Sequence, residues 1–194
     1  SSEATSNFAV GDITETNGNL SSFTATSSTV YTATFTPTAD GAVTIDVAAS
    51  GFTDAAANNN TAATEYNWTY DTSDPTMTNT AAECPDGFTP NDSTLALTFT
   101  SSRATSNFAV DDITETNGNL SSFTATSSTV YTATFTPTAD GAVTIDVGAA
   151  GFTDSYGNNN TAATPFNWTY DTSRPTITIT ASDGSNAVSD LTLR

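Results

Sequence analysis

An all-β fold, built from small antiparallel two-sheet sandwiches in tandem, is predicted by three features of this 194-residue chain. First, residues 1–73 and 101–173 are one sequence written twice, identical at 64 of 73 positions at a constant offset of 100 with no gap. A period of about 100 residues is too long for a solenoid turn or a propeller blade and matches one independent small domain. Second, Thr and Ser saturate the chain while good helix formers are scarce, with one Met and no Lys, so helices are not expected. Third, apolar and polar residues alternate strictly in several stretches, the mark of strands with one buried and one wet face.

Taken in order, the complete copy gives runs near 76–81, 94–100, 106–110, 120–125, 130–136, 142–148 and 165–171. In 94–100, Leu95, Leu97 and Phe99 share one face and Thr94, Thr98 and Thr100 the other. Tyr131, Ala133 and Phe135 alternate with Thr132, Thr134 and Thr136. Val143, Ile145 and Val147 alternate with Thr144 and Asp146, and Phe166, Trp168 and Tyr170 with Asn167 and Thr169. Turn signals separate them at Pro85-Asp86-Gly87, Asn117-Gly118, Ala139-Asp140-Gly141 and Asp154–Asn160. Seven short strands in about 100 residues predict an immunoglobulin-like sandwich. The matching segments Asp71-Thr-Ser-Asp74-Pro75 and Asp171-Thr-Ser-Arg174-Pro175 set the frame: 75–174 is one whole domain, 1–74 a domain lacking its first two strands, and 175–194 the start of a third repeat.

Composition removes whole classes of function. With Asp+Glu 21 against Lys+Arg 3, the net charge is -18, which excludes nucleic acid as a partner because phosphates need basic side chains to displace counterions. Without His there is no Ser-His-Asp or Cys-His relay, and without Lys no Schiff base. Cys84 is single and forms no intrachain disulfide. No apolar window is long enough to insert in a membrane. Paired carboxylates across a cleft would suit a glycosidase, but two identical catalytic modules and no marked cleft argue against an enzyme.

The stretch TATFTPTADGAVTIDVAASGFTDAAANNNTAA, with the closing NWTYDTSDPT, resembles the bacterial immunoglobulin-like (Big) repeats of large extracellular adhesins. The most specific parts are YTATFTP at 131–137, the turn at Asp140-Gly141 and the FTD-x-x-x-NNN loop at 152–160 and 52–60. The resemblance implies a non-enzymatic spacer or stalk in a secreted or cell-surface protein, with neighbouring repeats as partners and calcium stiffening the joints. Ala57 stands where the second copy has Gly157, so a turn needing positive φ strains the first copy.

Asp and Glu are the abundant functional groups, and the expected topology stacks the acidic end of one copy on the Asp/Asn loop of the next. The candidate calcium ligands are Asp12, Glu15, Asp40, Asp71 and Asp74 from the first copy, with Asp154 and Asn158 from the second. The same residues are also ordinary solvated turn residues. A competing reading is a binding module for carbohydrate, ice or another cell surface, using the Thr-x-Thr runs at 32–38 and 132–138 or Tyr156 in the 152–160 loop. Thr is the default on a wet strand face, which favours the spacer.

Overall fold

The computed structural model describes residues 1–178, so most of the expected third repeat at 175–194 lies outside the described residues. The chain forms twelve strands: β1 (Ile13–Thr16), β2 (Gly18–Ala25), β3 (Tyr31–Pro37), β4 (Gly41–Val47), β5 (Tyr66–Tyr70), β6 (Met77–Ala81), β7 (Leu95–Ser101), β8 (Ile113–Glu115), β9 (Gly118–Ala125), β10 (Val130–Pro137), β11 (Gly141–Val147) and β12 (Phe166–Tyr170). Among the described residues the only helical segments are the single 3-10 turns Val10–Asp12 and Val110–Asp112.

The second domain is a seven-stranded sandwich of a β6-β7-β10-β9 sheet and a β12-β11-β8 sheet, and every pairing is antiparallel. Six of the seven expected runs are strands. The run at 106–110 is not. Its Asn107 side chain accepts from Thr153 N (3.1 Å), and Asp112 accepts from Ala109 N (2.8 Å) to close the 3-10 turn, so strand pairing starts only at Ile113. Phe108 is buried, but Val110 is 40% exposed, so the apparent alternation joined one core residue to one turn residue.

Between the sheets lies one continuous core that includes Leu95, Leu97, Phe99, Phe108, Tyr131, Phe135, Val143, Ile145 and Trp168. Phe135 meets Trp168 edge-on at 5.1 Å, and Phe108 meets Tyr131 at 5.0 Å and Phe152 at 5.2 Å. Burying one such ring removes about 150–250 Å² from water, roughly 4–6 kcal/mol at about 25 cal/mol per Å². Gly118 is fixed by this packing, because a Cβ there would stand 2.1 Å from the Phe135 ring. The Tyr131 hydroxyl donates to Thr105 O (2.9 Å), tying the strand start to the preceding loop.

The first domain has the same β1-β4-β5 sheet but only β2-β3 opposite it. With nothing in the place of β6 and β7, Phe8, Tyr31, Phe35 and Trp68 are half-buried where their counterparts are buried, and Tyr66 is 69% exposed against 5% for Phe166. The segment after β6 also guards a sheet edge. Gly87 N and Thr169 N donate to Asn167 O (2.6 Å) and Phe88 O (3.0 Å), so the 85–90 loop runs along β12 and occupies its free edge.

Two substitutions test this packing. Trp168→Ala is expected to destabilise the second domain by about 3–5 kcal/mol in denaturant titrations, and Trp68→Ala to cost the first domain distinctly less. Asn79 is buried in β6 and neither its Oδ1 nor its Nδ2 has a hydrogen-bond partner. Asn79→Ile should therefore raise stability by about 1–3 kcal/mol, seen as a higher denaturation midpoint at unchanged m-value.

Candidate functional site

The two ends of each sandwich differ in chemistry. One end, here the exit end, carries the turns at 37–41 and 137–141 and the segments 71–74 and 171–174. The other, the entry end, carries the loops 101–112 and 148–163 and receives the preceding repeat.

At the exit end of the first domain, Asp40 fixes the outgoing chain. Its Oδ1 accepts from Thr72 N (2.9 Å) and Thr72 Oγ1 (2.8 Å), and its Oδ2 from Ser73 Oγ (2.8 Å). The Ser73 and Thr72 hydroxyls hold the Asp40 carboxyl below the ordinary carboxylate range. Asp140 repeats the arrangement with Thr172 and Ser173 in the second domain. Asp71 Oδ1 accepts from Ser73 N (2.9 Å), which leaves Oδ2 pointing at the next domain.

Arg103 meets it there. Its Nη2 donates to Asp71 Oδ2 and its Nε to Asp154 Oδ2 (2.8 Å), so one guanidinium bridges a carboxylate from each domain. The Asp154 side chain is 1% exposed and Asp71 13%. Asn158 Nδ2 adds a bond to Asp71 O (3.2 Å), and the Tyr156 ring lies against the Arg103 guanidinium at 5.9 Å. Burial by itself would raise the Asp154 carboxyl. The Asn158 backbone and side-chain amides, Tyr156 N–H and Arg103 outweigh it and hold Asp154 at about 2. Pro75 is fully buried just beyond, and its carbonyl accepts from Thr161 N (3.0 Å).

Of the seven carboxylates and amides expected to gather round calcium, Asp71, Asp154 and Asn158 come together. Asp40 lies on the same exit segment but faces Thr72 and Ser73. Asp74 is exposed. Asp12 and Glu15 are elsewhere: Asp12 caps the Val10–Asp12 turn through Ala9 N (2.8 Å) and abuts Gly51 at the entry end of its own domain, and Glu15 sits within β1 opposite Ile45. The expectation that 111–119 belongs wholly to the exit end is corrected with them, because β8 starts beside Val147 and runs the length of the sheet. Among the described residues, no three Asp, Glu, Cys or His side chains form a group able to hold a metal ion. The donor set of the joint does not fit a divalent cation: both Oδ2 atoms take Arg103, while the Oδ1 atoms take Ser73 N on one side and Tyr156 N and Asn158 N on the other.

Sequence reasoning missed Arg103. The signal was present, since it is one of three basic residues in the chain, and Glu3/Arg103 is the one charge inversion among the nine differences between the copies. Those nine positions (3/103, 11/111, 48/148, 50/150, 55/155, 56/156, 57/157, 65/165 and 66/166) all fall in the entry-end half of the sandwich. The copies are identical where a domain hands on the chain and differ where it receives one.

The model of the bacterial Ig-like domain matches residues 1–70 and again 71–170. The chain belongs to the bacterial Ig-like domain family. No curated protein and no solved structure matches it. The two family matches meet at Asp71, the residue that Arg103 holds, and the sandwiches on either side are its two Ig-like units.

Both Ig-like units carry the FTD-x-x-x-NNN loop with the same hydrogen bonds. Asp54 and Asp154 accept from the residues two and four positions on, and Asn60 and Asn160 accept from Phe52 N and Phe152 N (3.0 Å each). The loop requires a positive φ at its fifth position after Phe, 91° at Gly157 and 67° at Ala57. Ala57→Gly should relieve that left-handed strain and stabilise the first domain by about 1 kcal/mol in thermal melts. The depressed Asp154 fixes the sign of a pH effect. Its contribution is fully present above its ordinary value of 3.8 and is lost as the pH falls through about 2. Acid titration followed by scattering should loosen the joint within that window, and loosening already at pH 6 would contradict it.

Proposed function

We propose that this chain is a stiff spacer segment of a long secreted or surface-anchored bacterial protein of the adhesin type, in which each Ig-like unit holds its neighbour at a set angle and none carries catalysis. The observation that supports it is the double clasp on the five residues between the domains. Asp40 grips Thr72 and Ser73 from one side, Arg103 and Asn158 grip Asp71 from the other, and Pro75 limits the chain at the far end. A joint with hydrogen bonds from both domains and a buried proline resists bending far more than a free Ser/Thr linker of the same length.

The cavities suit this reading. The largest, about 420 Å³, is lined by Glu3, Asp54, Asn58 and Thr61 at the entry end of the first domain. In the second domain the corresponding place, beside Thr161, is where Pro75 sits. The pocket is thus a socket for a neighbouring repeat. Bacterial Ig-like domains are typical of secreted and surface proteins, where the charge of -18 keeps long arrays apart and soluble.

One observation favours the binding-module alternative. Thr80, Thr98, Thr132 and Thr124 stand opposite one another across β6, β7, β10 and β9 on the outer face, a row of four hydroxyls spaced by about 4.8 Å. The bulge in β9 between Ser21/Thr24-type positions, here Ser121 and Thr124, breaks the next row, so the pattern does not extend into a flat array. Small-angle scattering of the chain should give one narrow, elongated shape whose maximum dimension is unchanged by calcium or by chelator. Saturable retention on a glycan array or in growing ice would overturn the spacer reading in favour of the threonine face.

A further inference from the structure

The joint between the two Ig-like units contains a charge rule that the entry socket of the first domain obeys in reverse. β6 and β7 pair as Met77 opposite Ser101, and the pairing runs on to Thr76, whose carbonyl accepts from Ser102 N (2.9 Å). Continued two residues further, it brings the backbone of Asp74 alongside Arg103 and Ala104. The exit Asp71-Thr-Ser-Asp74 thus presents two acids to a socket whose one cation is Arg103.

In the first domain Glu3 holds the place of Arg103. It reaches Asp54, the counterpart of Asp154, and both line the empty 420 Å³ socket together with Asn58 and Thr61. An exit of the Asp71–Asp74 kind would bring two more carboxylates against these two, and like charges packed in a partly desolvated joint are strongly unfavourable. The chain's own second exit differs at one residue of the four. Asp140 holds Thr172 and Ser173 as Asp40 holds Thr72 and Ser73, so the geometry is the same, but the fourth residue is Arg174. It is exposed and, among the described residues, in no ion pair.

We propose that the socket at Glu3, Asp54 and Asn58 is a docking surface for the exit end of a second copy or repeat whose fourth exit residue is basic, as in Asp171-Thr-Ser-Arg174. Acidic exits go to Arg sockets and basic exits to Glu sockets. The cation of each joint is supplied from one side or the other, never from both. This rests on the spacer reading and adds partner selection to it: repeats that share nearly all their sequence join in a defined order because the entry ends differ.

The rule can be tested in the existing joint of the full chain. Arg103→Glu converts the second socket to the type of the first, and Asp74→Arg converts the exit to the type of the second. NMR relaxation reads whether the two domains tumble together, and small-angle scattering reads the spread of interdomain distances. Arg103→Glu alone is expected to lose common tumbling. The double variant Asp74→Arg/Arg103→Glu is expected to regain it, with Trp168 fluorescence melts showing the second domain folded in both. A double variant as loose as Arg103→Glu overturns the proposal, as does calcium tightening Arg103→Glu while Asp74→Arg leaves it loose. Glycan or ice binding by a chain that shows the rescue would remove the spacer reading and leave the pairing rule standing.

Discussion

A single guanidinium, Arg103, stands between carboxylates from two domains, and the relation of those domains depends on it. Without a cation at that point Asp71 and Asp154 would face each other with the latter almost wholly buried, and the joint would open to rehydrate them. With Arg103 present, all four carboxylate oxygens have donors, and the linker is held from both sides. The same requirement explains why Asp154 stays ionised in spite of its burial: four donors outweigh the loss of water.

The rest of the architecture prepares that contact. Each sandwich needs both sheets, because one layer of aromatic rings from β9 and β10 must be covered by the β8, β11 and β12 layer and sealed by β6 and β7. Where those last two are missing, in the first domain, the same side chains remain half-exposed and Val43 is the one apolar side chain fully buried. β6 begins immediately after the clasped linker, so fixing the linker also fixes the first strand of the second core. Folding of the second domain and orientation of the first are in this way coupled through residues 71–77.

The distribution of sequence change between the copies follows from this division of labour. The exit end has one task, to present Asp71 or Asp171 at a fixed angle, and an Asp, a Thr and a Ser accomplish it in both domains. An entry end must match whatever precedes it, and there the copies differ in charge at 3/103 and in bulk at 56/156. A spacer of near-identical units acquires order from such ends at little cost to its cores.

The sequence by itself determined the fold class, six of the seven strands of the complete domain and the composition of its core, because alternation of apolar and polar residues is a local property that survives without knowledge of partners. It also made the left-handed position at 57/157 visible through the Gly/Ala difference. It did not determine where strand pairing starts after Phe108, since Asn107 and Asp112 redirect the chain through bonds to residues 153 and 109 that no periodicity encodes. Nor did it reveal which charges meet. Counting carboxylates suggested a divalent cation, and only the tertiary structure sent Asp12 and Glu15 away from the joint and brought Arg103 into it. Which end of a strand a side chain occupies depends on pairing direction, so the sign of the charge at a contact between domains is decided by topology, not by composition.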